Sequence, residues 1–224
     1  MKEHGSSHPA PARPASPESR GRGEVLRRLR RPWRVVDIVV ASVLGVAVGV
    51  LFWAWSLGSA GVGALTLVFP PLSGIYTGGW LIAGVLGGLI IRKPGAALYC
   101  EVLAAAVSGV LGTQFGLSVL LSGFIQGVGA ELVFLAFLYV RFTLSVSLLA
   151  GLVSGVFLGV SENILWHPEW AFQWQAVYVL LAAVSGTVIA GLLSWLAARG
   201  LARTGVLASF ASGRAAEAGS RVRA

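Results

Sequence analysis

Along the chain, apolar positions fall into runs of roughly twenty residues, separated by short stretches carrying Arg, Lys, Pro or Gly. Runs of that length with so few charges are the signature of transmembrane helices. The first covers about 37–57 and closes on Phe52-Trp53-Ala54-Trp55, suited to an interfacial aromatic belt. The second covers about 75–91 and stops at Arg92-Lys93-Pro94-Gly95, where proline opens the third, about 95–112. A turn over Gly112 to Ser122 leads to the fourth, about 123–140, which stops at Arg141. The fifth covers about 143–165 and the sixth about 173–198, ending at Arg199. Gly58 to Pro71 is glycine-rich and closes on Phe69-Pro70-Pro71. Two consecutive prolines disrupt a regular helix, so 58–74 is expected to be a loop or a broken, partly re-entrant segment.

The basic residues decide the count. With six spans, Arg34, Arg92-Lys93, Arg141 and Arg199 to Arg203 share one side, as the positive-inside rule demands. A seventh span at 58–71 would put Arg92-Lys93 and Arg141 opposite Arg34. The expectation is an all-α, six-helix membrane domain over 35–200, with both termini cytoplasmic. Before it, residues 1–34 hold nine Lys or Arg against three acids among Pro and Ser, and read as a disordered basic arm. A secretory signal is the competing reading, but the apolar run from Val35 is long for one and Phe52-Trp53-Ala54-Trp55 is a poor cleavage site. Residues 201–224 form a short basic tail.

Composition agrees. The chain of 224 residues is 56% hydrophobic and 12% charged, with 30 Gly and mean hydropathy +0.80, which excludes an ordinary soluble domain. The polar alternation of a β-barrel is absent. A net charge of +8 could suggest nucleic acid, yet the cations sit in the tails and at the ends of apolar runs, so no nucleic-acid partner is expected. Cys100, the single cysteine, can form no intramolecular disulfide.

Three carboxylates interrupt the apolar interior: Glu101, Glu131 and Glu162, the last followed by Asn163. A charge at the bilayer centre costs about 2.5 kcal/mol or more, so such residues mark functional sites. Small residues recur every fourth position in nearly every span, which lets helix backbones approach closely. Each carboxylate falls on such a face: Glu101 four before Ala105, Glu131 four after Gly127, Glu162 three after Gly159. The three are therefore expected to point into the bundle and line one polar pocket. The plain alternative is a protonated carboxyl, or one paired with Gln114 or Gln126.

Aromatic residues with polar edges gather at the ends away from the cations: Tyr76 and Trp80, then Trp166, His167, Trp170 and Trp174. Many of these are interface anchors. Tyr76, Trp80 and Trp166 are the candidates for the pocket, with Gln114, Gln126 and Asn163 as hydrogen-bonding groups. Carboxylates beside an aromatic box suit a flat, cationic or amine-bearing ring. His167 reads as a loop histidine, since no His or Cys cluster accompanies it, and neither a metal nor another cofactor is expected. There is no G-x-x-x-x-G-K-[ST] loop and no catalytic triad or zinc spacing, so an enzyme is not expected and any ATP must be hydrolysed by another subunit.

At Tyr76 to Trp80, at Arg92 to Leu98 with Glu101, and at Gly123-x-x-Gln126-Gly127-x-Gly129-Ala130-Glu131, the chain resembles the YkoE-like substrate-binding (S) components of energy-coupling factor transporters. The resemblance covers about 33–200. It implies a six-helix protein of the prokaryotic plasma membrane that captures a vitamin near the outer surface. It also implies partners: an EcfT-like transmembrane coupling protein and cytoplasmic ATPase subunits. Thiamine or its hydroxymethylpyrimidine precursor is the implied ligand; a cobalt label has also been attached to the family, but cobalt would want clustered His or Cys. In S components a small-residue stripe on the first span docks the coupling protein, and Ala41, Gly45 and Gly49 stand in the matching place. The alternative from another class is a self-contained channel or proton-coupled carrier that uses the same carboxylates as an ion path.

Overall fold

The computed structural model describes residues 32–204, in which every regular element is helical. Helix α1 spans Val35–Leu65. A 3₁₀ segment, Pro70–Leu81, runs directly into α2, Ile82–Ile91, and together they make the second span. Then come α3, Ala96–Val110; α4, Ser118–Ala136; and α5, Leu144–Leu165. The sixth span is α6, Phe172–Ser185, continued through a π-helical turn, Gly186–Leu192, into α7, Leu193–Arg203. Five segments are long and apolar enough to cross a membrane, and α3, with 15 residues, is the short sixth. The expected six-helix bundle is therefore observed. The basic arm before Pro32 and the tail after Thr204 lie outside the described residues.

Two boundaries differ from expectation. The stretch 58–65 is not loop, because the first helix runs on to Leu65, where the Thr66 amide still donates to the Val62 carbonyl. No residue from Gly58 to Leu65 lacks an amide donor, so the helix runs on; it ends in the turn at 66–69, just ahead of Pro70 and Pro71, which have none. These prolines occupy the opening positions of the 3₁₀ segment, where a missing amide costs little. The fourth span runs 118–136 rather than 123–140, since Leu138 and Tyr139 both turn left-handed (φ 51° and 53°) and end the helix.

Twelve residues of 3₁₀ helix are many. Neighbours hold them wound by taking their backbone groups. The Ser185 hydroxyl donates to the Ile75 carbonyl and accepts from the Gly78 amide, while Trp55 Nε1 donates to the Tyr76 carbonyl at 3.0 Å. Thr77 Oγ1 donates back to the Gly74 carbonyl.

The small-residue stripe of the first span is used inside the protein. Ala41, Gly45 and Gly49 are buried against α3, where a Cβ on Gly45 would lie 2.8 Å from Leu103 and one on Gly49 would lie 2.6 Å from Val107. The Ala41 carbonyl also accepts from the Cys100 thiol. The expectation that this stripe docks the coupling protein is corrected, because the face is already filled by α3.

At the basic end, the buried Asp37 pairs with Lys93 and, at 3.0 Å, with Arg34. Trp33 Nε1 donates to the Pro94 carbonyl at 3.0 Å, so the start of α1 is stapled to the turn between α2 and α3. Removing one member of a buried pair leaves the other uncompensated. Asp37→Asn is expected to destabilise the protein by about 2 kcal/mol, the figure reduced because Arg34 is half exposed. Thermal unfolding in detergent checks this, and Lys93→Met added to Asp37→Asn should recover part of the loss.

Candidate functional site

At the end opposite the basic rim, the helices enclose a cavity of about 620 Å³. All six spans and the connector after α5 line it. Helix α1 supplies Phe52, Ser56 and Ser59; the 3₁₀ segment supplies Ser73, Tyr76, Thr77 and Trp80; α3 supplies Ala105 and Ser108. The α3–α4 turn adds Gln114 and Phe115, and α4 adds Ser118, Ser122 and Gln126. Glu162 on α5, Trp166 and His167 in the next connector, and Tyr178 on α6 complete it. Its volume suits a drug-sized ligand, for which pockets of about 300–1,000 Å³ are usual.

One wall is aromatic. Trp55 stacks on Tyr76 with centroids 4.4 Å apart, Tyr76 meets the edge of Trp80 at 5.6 Å, and Trp80 meets Phe115 at 5.6 Å. Their polar atoms are tied down: Tyr76 Oη donates to the Trp55 carbonyl at 2.8 Å, and Trp80 Nε1 donates to Ser56 Oγ at 3.1 Å. The rings are therefore fixed and offer their faces and edges. The 3₁₀ winding matters here, because at about three residues per turn Ser73 and Tyr76 share one row and Thr77 and Trp80 the adjacent one, and both rows border the cavity.

The facing wall is polar. Tyr178 Oη donates to a carboxylate oxygen of Glu162, and His167 stacks on Trp170 at 3.9 Å and meets the edge of Tyr178 at 5.7 Å. The connector carrying His167 is braced by Gln175 Nε2 on the His167 carbonyl, 3.1 Å. Burial pushes the His167 imidazole below its ordinary value, with Glu169 pulling less strongly the other way, so this ring is neutral near pH 7. Across the rim, Gln114 Nε2 donates to Ser59 Oγ at 2.5 Å, joining the α3–α4 turn to α1.

Glu162, Gln114, Gln126, Tyr76, Trp80 and Trp166 thus meet at one cavity. The other predicted residues do not. Glu101 shares the α3 face of Ala105 and Ser108 but lies one turn deeper, wholly buried, where it accepts from the Gly84 amide at 2.5 Å. Gly84 lies just past the point where 3₁₀ winding gives way to α. Glu131 is at the basic end, accepting from the amides of Gly95, Ala97 and Leu98 at 2.6, 2.9 and 3.2 Å and from Tyr139 Oη at 2.5 Å. Asn163 points away from the cavity and donates to the Gln175 carbonyl at 3.0 Å, tying α5 to α6. The expected meeting of three carboxylates is corrected: helix faces fix the direction of a side chain but not its depth, and the three occupy different depths.

Sequence reasoning passed over Ser56, Ser59, Ser73, Thr77, Ser108, Phe115, Ser118, Ser122 and Tyr178, and read His167 as a loop residue. One signal was present: Ser118, Ser122 and Gln126 recur every fourth residue and mark a polar stripe down α4.

A family model described as "ABC-type cobalt transport system, permease component" matches residues 36–157. The protein YkoE of Bacillus subtilis (strain 168), provisionally named an HMP/thiamine permease protein, is 35% identical over 191 residues, which is 82% of this chain and 92% of that protein. A crystal structure of an S-component of an ECF transporter superposes with a TM-score of 0.80 at 31% identity, covering 86% of this chain and 97% of the other.

Proposed function

The chain belongs to the YkoE-like S components of energy-coupling factor transporters, and from that premise we propose that its cavity captures thiamine or hydroxymethylpyrimidine. It is a multi-pass membrane protein and the substrate-binding subunit of its transporter. The observation that carries the ligand assignment is the pairing of a fixed aromatic wall with one oriented carboxylate across a cavity of ligand size. A flat ring stacks against Trp80 and Tyr76, while an exocyclic amine donates to Glu162. Gln126 and the seryl hydroxyls provide the remaining polar contacts.

The remaining partners follow from the same premise. A transmembrane coupling protein and cytoplasmic ATPases supply the energy, and the chain itself does no chemistry on its ligand. The coupling protein meets faces other than the filled Ala41, Gly45 and Gly49 stripe. Both termini lie in the cytoplasm and the cavity opens outward, in keeping with the basic residues at the far end. Cobalt as cargo fits poorly: among the described residues no group of three His, Cys, Asp or Glu could hold a metal ion. A self-contained ion path fits poorly as well, since beneath the cavity Glu101 is followed by close-packed Cys100, Leu86 and Ile90.

Titration of the purified protein with thiamine and with hydroxymethylpyrimidine is expected to quench tryptophan emission, because Trp80 and Trp166 line the cavity. Trp80→Ala should remove most of the quenching and weaken binding about tenfold, the worth of one stacked ring. Full quenching and affinity in Trp80→Ala would refute the placement of the ring on this wall.

A further inference from the structure

Two ligands that share a ring can differ by a phosphate on their primary alcohol, and the cavity is not neutral toward that difference. Its lining contains one carboxylate, Glu162, and no Lys or Arg. The described cations Arg34, Arg92, Lys93, Arg141, Arg199 and Arg203 all sit at or beyond the span ends of the opposite rim. The lining imidazole, His167, is half-buried, packs against Trp170 and Tyr178, and carries no charge near pH 7. The end of α5 adds to the negative side, since the Glu162 carbonyl in its last turn also faces this connector and accepts from the Trp166 and His167 amides. Against this, the start of α4 at Ser118 brings about half a positive charge. A phosphate monoester carries about 1.5 to 2 negative charges near pH 7, far more than that end can offset.

We infer that Glu162, oriented by Tyr178, acts as a charge filter that admits the free alcohol form of the ligand and rejects its phosphate ester. This rests on the ligand reading given above and deepens it: the substrate class becomes cationic or neutral, unphosphorylated aminopyrimidines. The transporter then takes up only the free alcohol, and any phosphate ester must lose its phosphate before capture.

Matched pairs test it: thiamine against thiamine monophosphate, and hydroxymethylpyrimidine against its monophosphate, each titrated into the detergent-purified protein at low salt by tryptophan quenching. Each ester is expected to bind at least about tenfold more weakly than its alcohol. In Glu162→Gln the ratio within each pair should shrink toward one, whereas Tyr178→Phe, which keeps the carboxylate, should preserve it. A ratio is insensitive to a partly inactive preparation. Raising the ionic strength in the unmodified protein should narrow the same gap, which serves where the Gln variant binds too weakly to titrate. Equal affinity within the pairs overturns the filter, as does a gap indifferent to both Glu162→Gln and salt, which would make the exclusion steric. If neither alcohol binds, the ligand assignment falls and the filter with it, a result distinct from alcohols and esters binding alike.

Discussion

Glu131→Ala is expected to lower the stability of the purified protein by about 3 kcal/mol while leaving ligand affinity of the folded fraction within about twofold. The carboxylate closes the first turn of α3, satisfying the amides of Gly95, Ala97 and Leu98, which have no partner within their own helix. No side chain at the local cap does this work: Gly95 sits in the left-handed region at φ 83° and has none. The cap therefore arrives from another span, and its loss leaves three donors and the Tyr139 hydroxyl orphaned at once. Tyr139 reports the same dependence, since burial and the Glu131 carboxylate together push its phenol above the ordinary range. The residue also holds a left-handed backbone that an L side chain adopts at a cost, an arrangement kept because the turn delivers its hydroxyl to Glu131. Thermal unfolding in detergent should place Glu131→Ala about 5–10 °C below the unmodified protein, with Glu131→Gln between them. Loss of thiamine binding at unchanged stability would instead place Glu131 in the ligand site.

Gly49→Leu should be at least as damaging, for a reason that separates internal packing from partner docking. A Cβ at this position would lie 2.6 Å from Val107 and 2.8 Å from the Ala104 carbonyl, so the added side chain must push α1 off α3. Overpacking of a close helix pair costs about 1–3 kcal/mol for small intrusions, and a leucine against backbone exceeds that. The expected result is a chain that is recovered aggregated, or that unfolds well below the unmodified protein even with no coupling protein present. A stripe reserved for docking would behave otherwise, leaving the isolated subunit stable and impairing only its transport with partners. Val43→Leu, on the exposed side of the same helix, is the control and should leave the isolated protein unchanged.

Much of the architecture was legible because the bilayer imposes length and the cations impose direction. The six spans follow from apolar runs punctuated by Arg92-Lys93, Arg141 and Arg199. What escaped was whatever depends on how far along a helix a residue lies. Glu101, Glu131 and Glu162 each face inward as their spacing implies, yet only Glu162 reaches the cavity. The other two accept from backbone amides of other spans, Glu101 from Gly84 and Glu131 from Gly95, Ala97 and Leu98 at the start of α3, and nothing local in the sequence says which distant carboxylate meets which amide. Similarly, a stripe of small residues states that something approaches closely but not what, and at Gly45 and Gly49 the answer was Leu103 and Val107 of the same chain. The 3₁₀ winding of 70–81 was hidden because its restraints, Trp55 and Ser185, come from distant spans.

The brevity of α3 carries a consequence of its own. Its 15 residues reach about 22 Å at 1.5 Å per residue, whereas the hydrocarbon layer is about 30 Å deep. The missing 8 Å or so is made up by the 111–117 turn and the hollow beside it. A 15-residue helix set in a layer of that depth would leave a hollow at its end about a quarter of the layer deep. Past that hollow the bundle is sealed by close packing, from the level of Gly84 to the arginines at its other end.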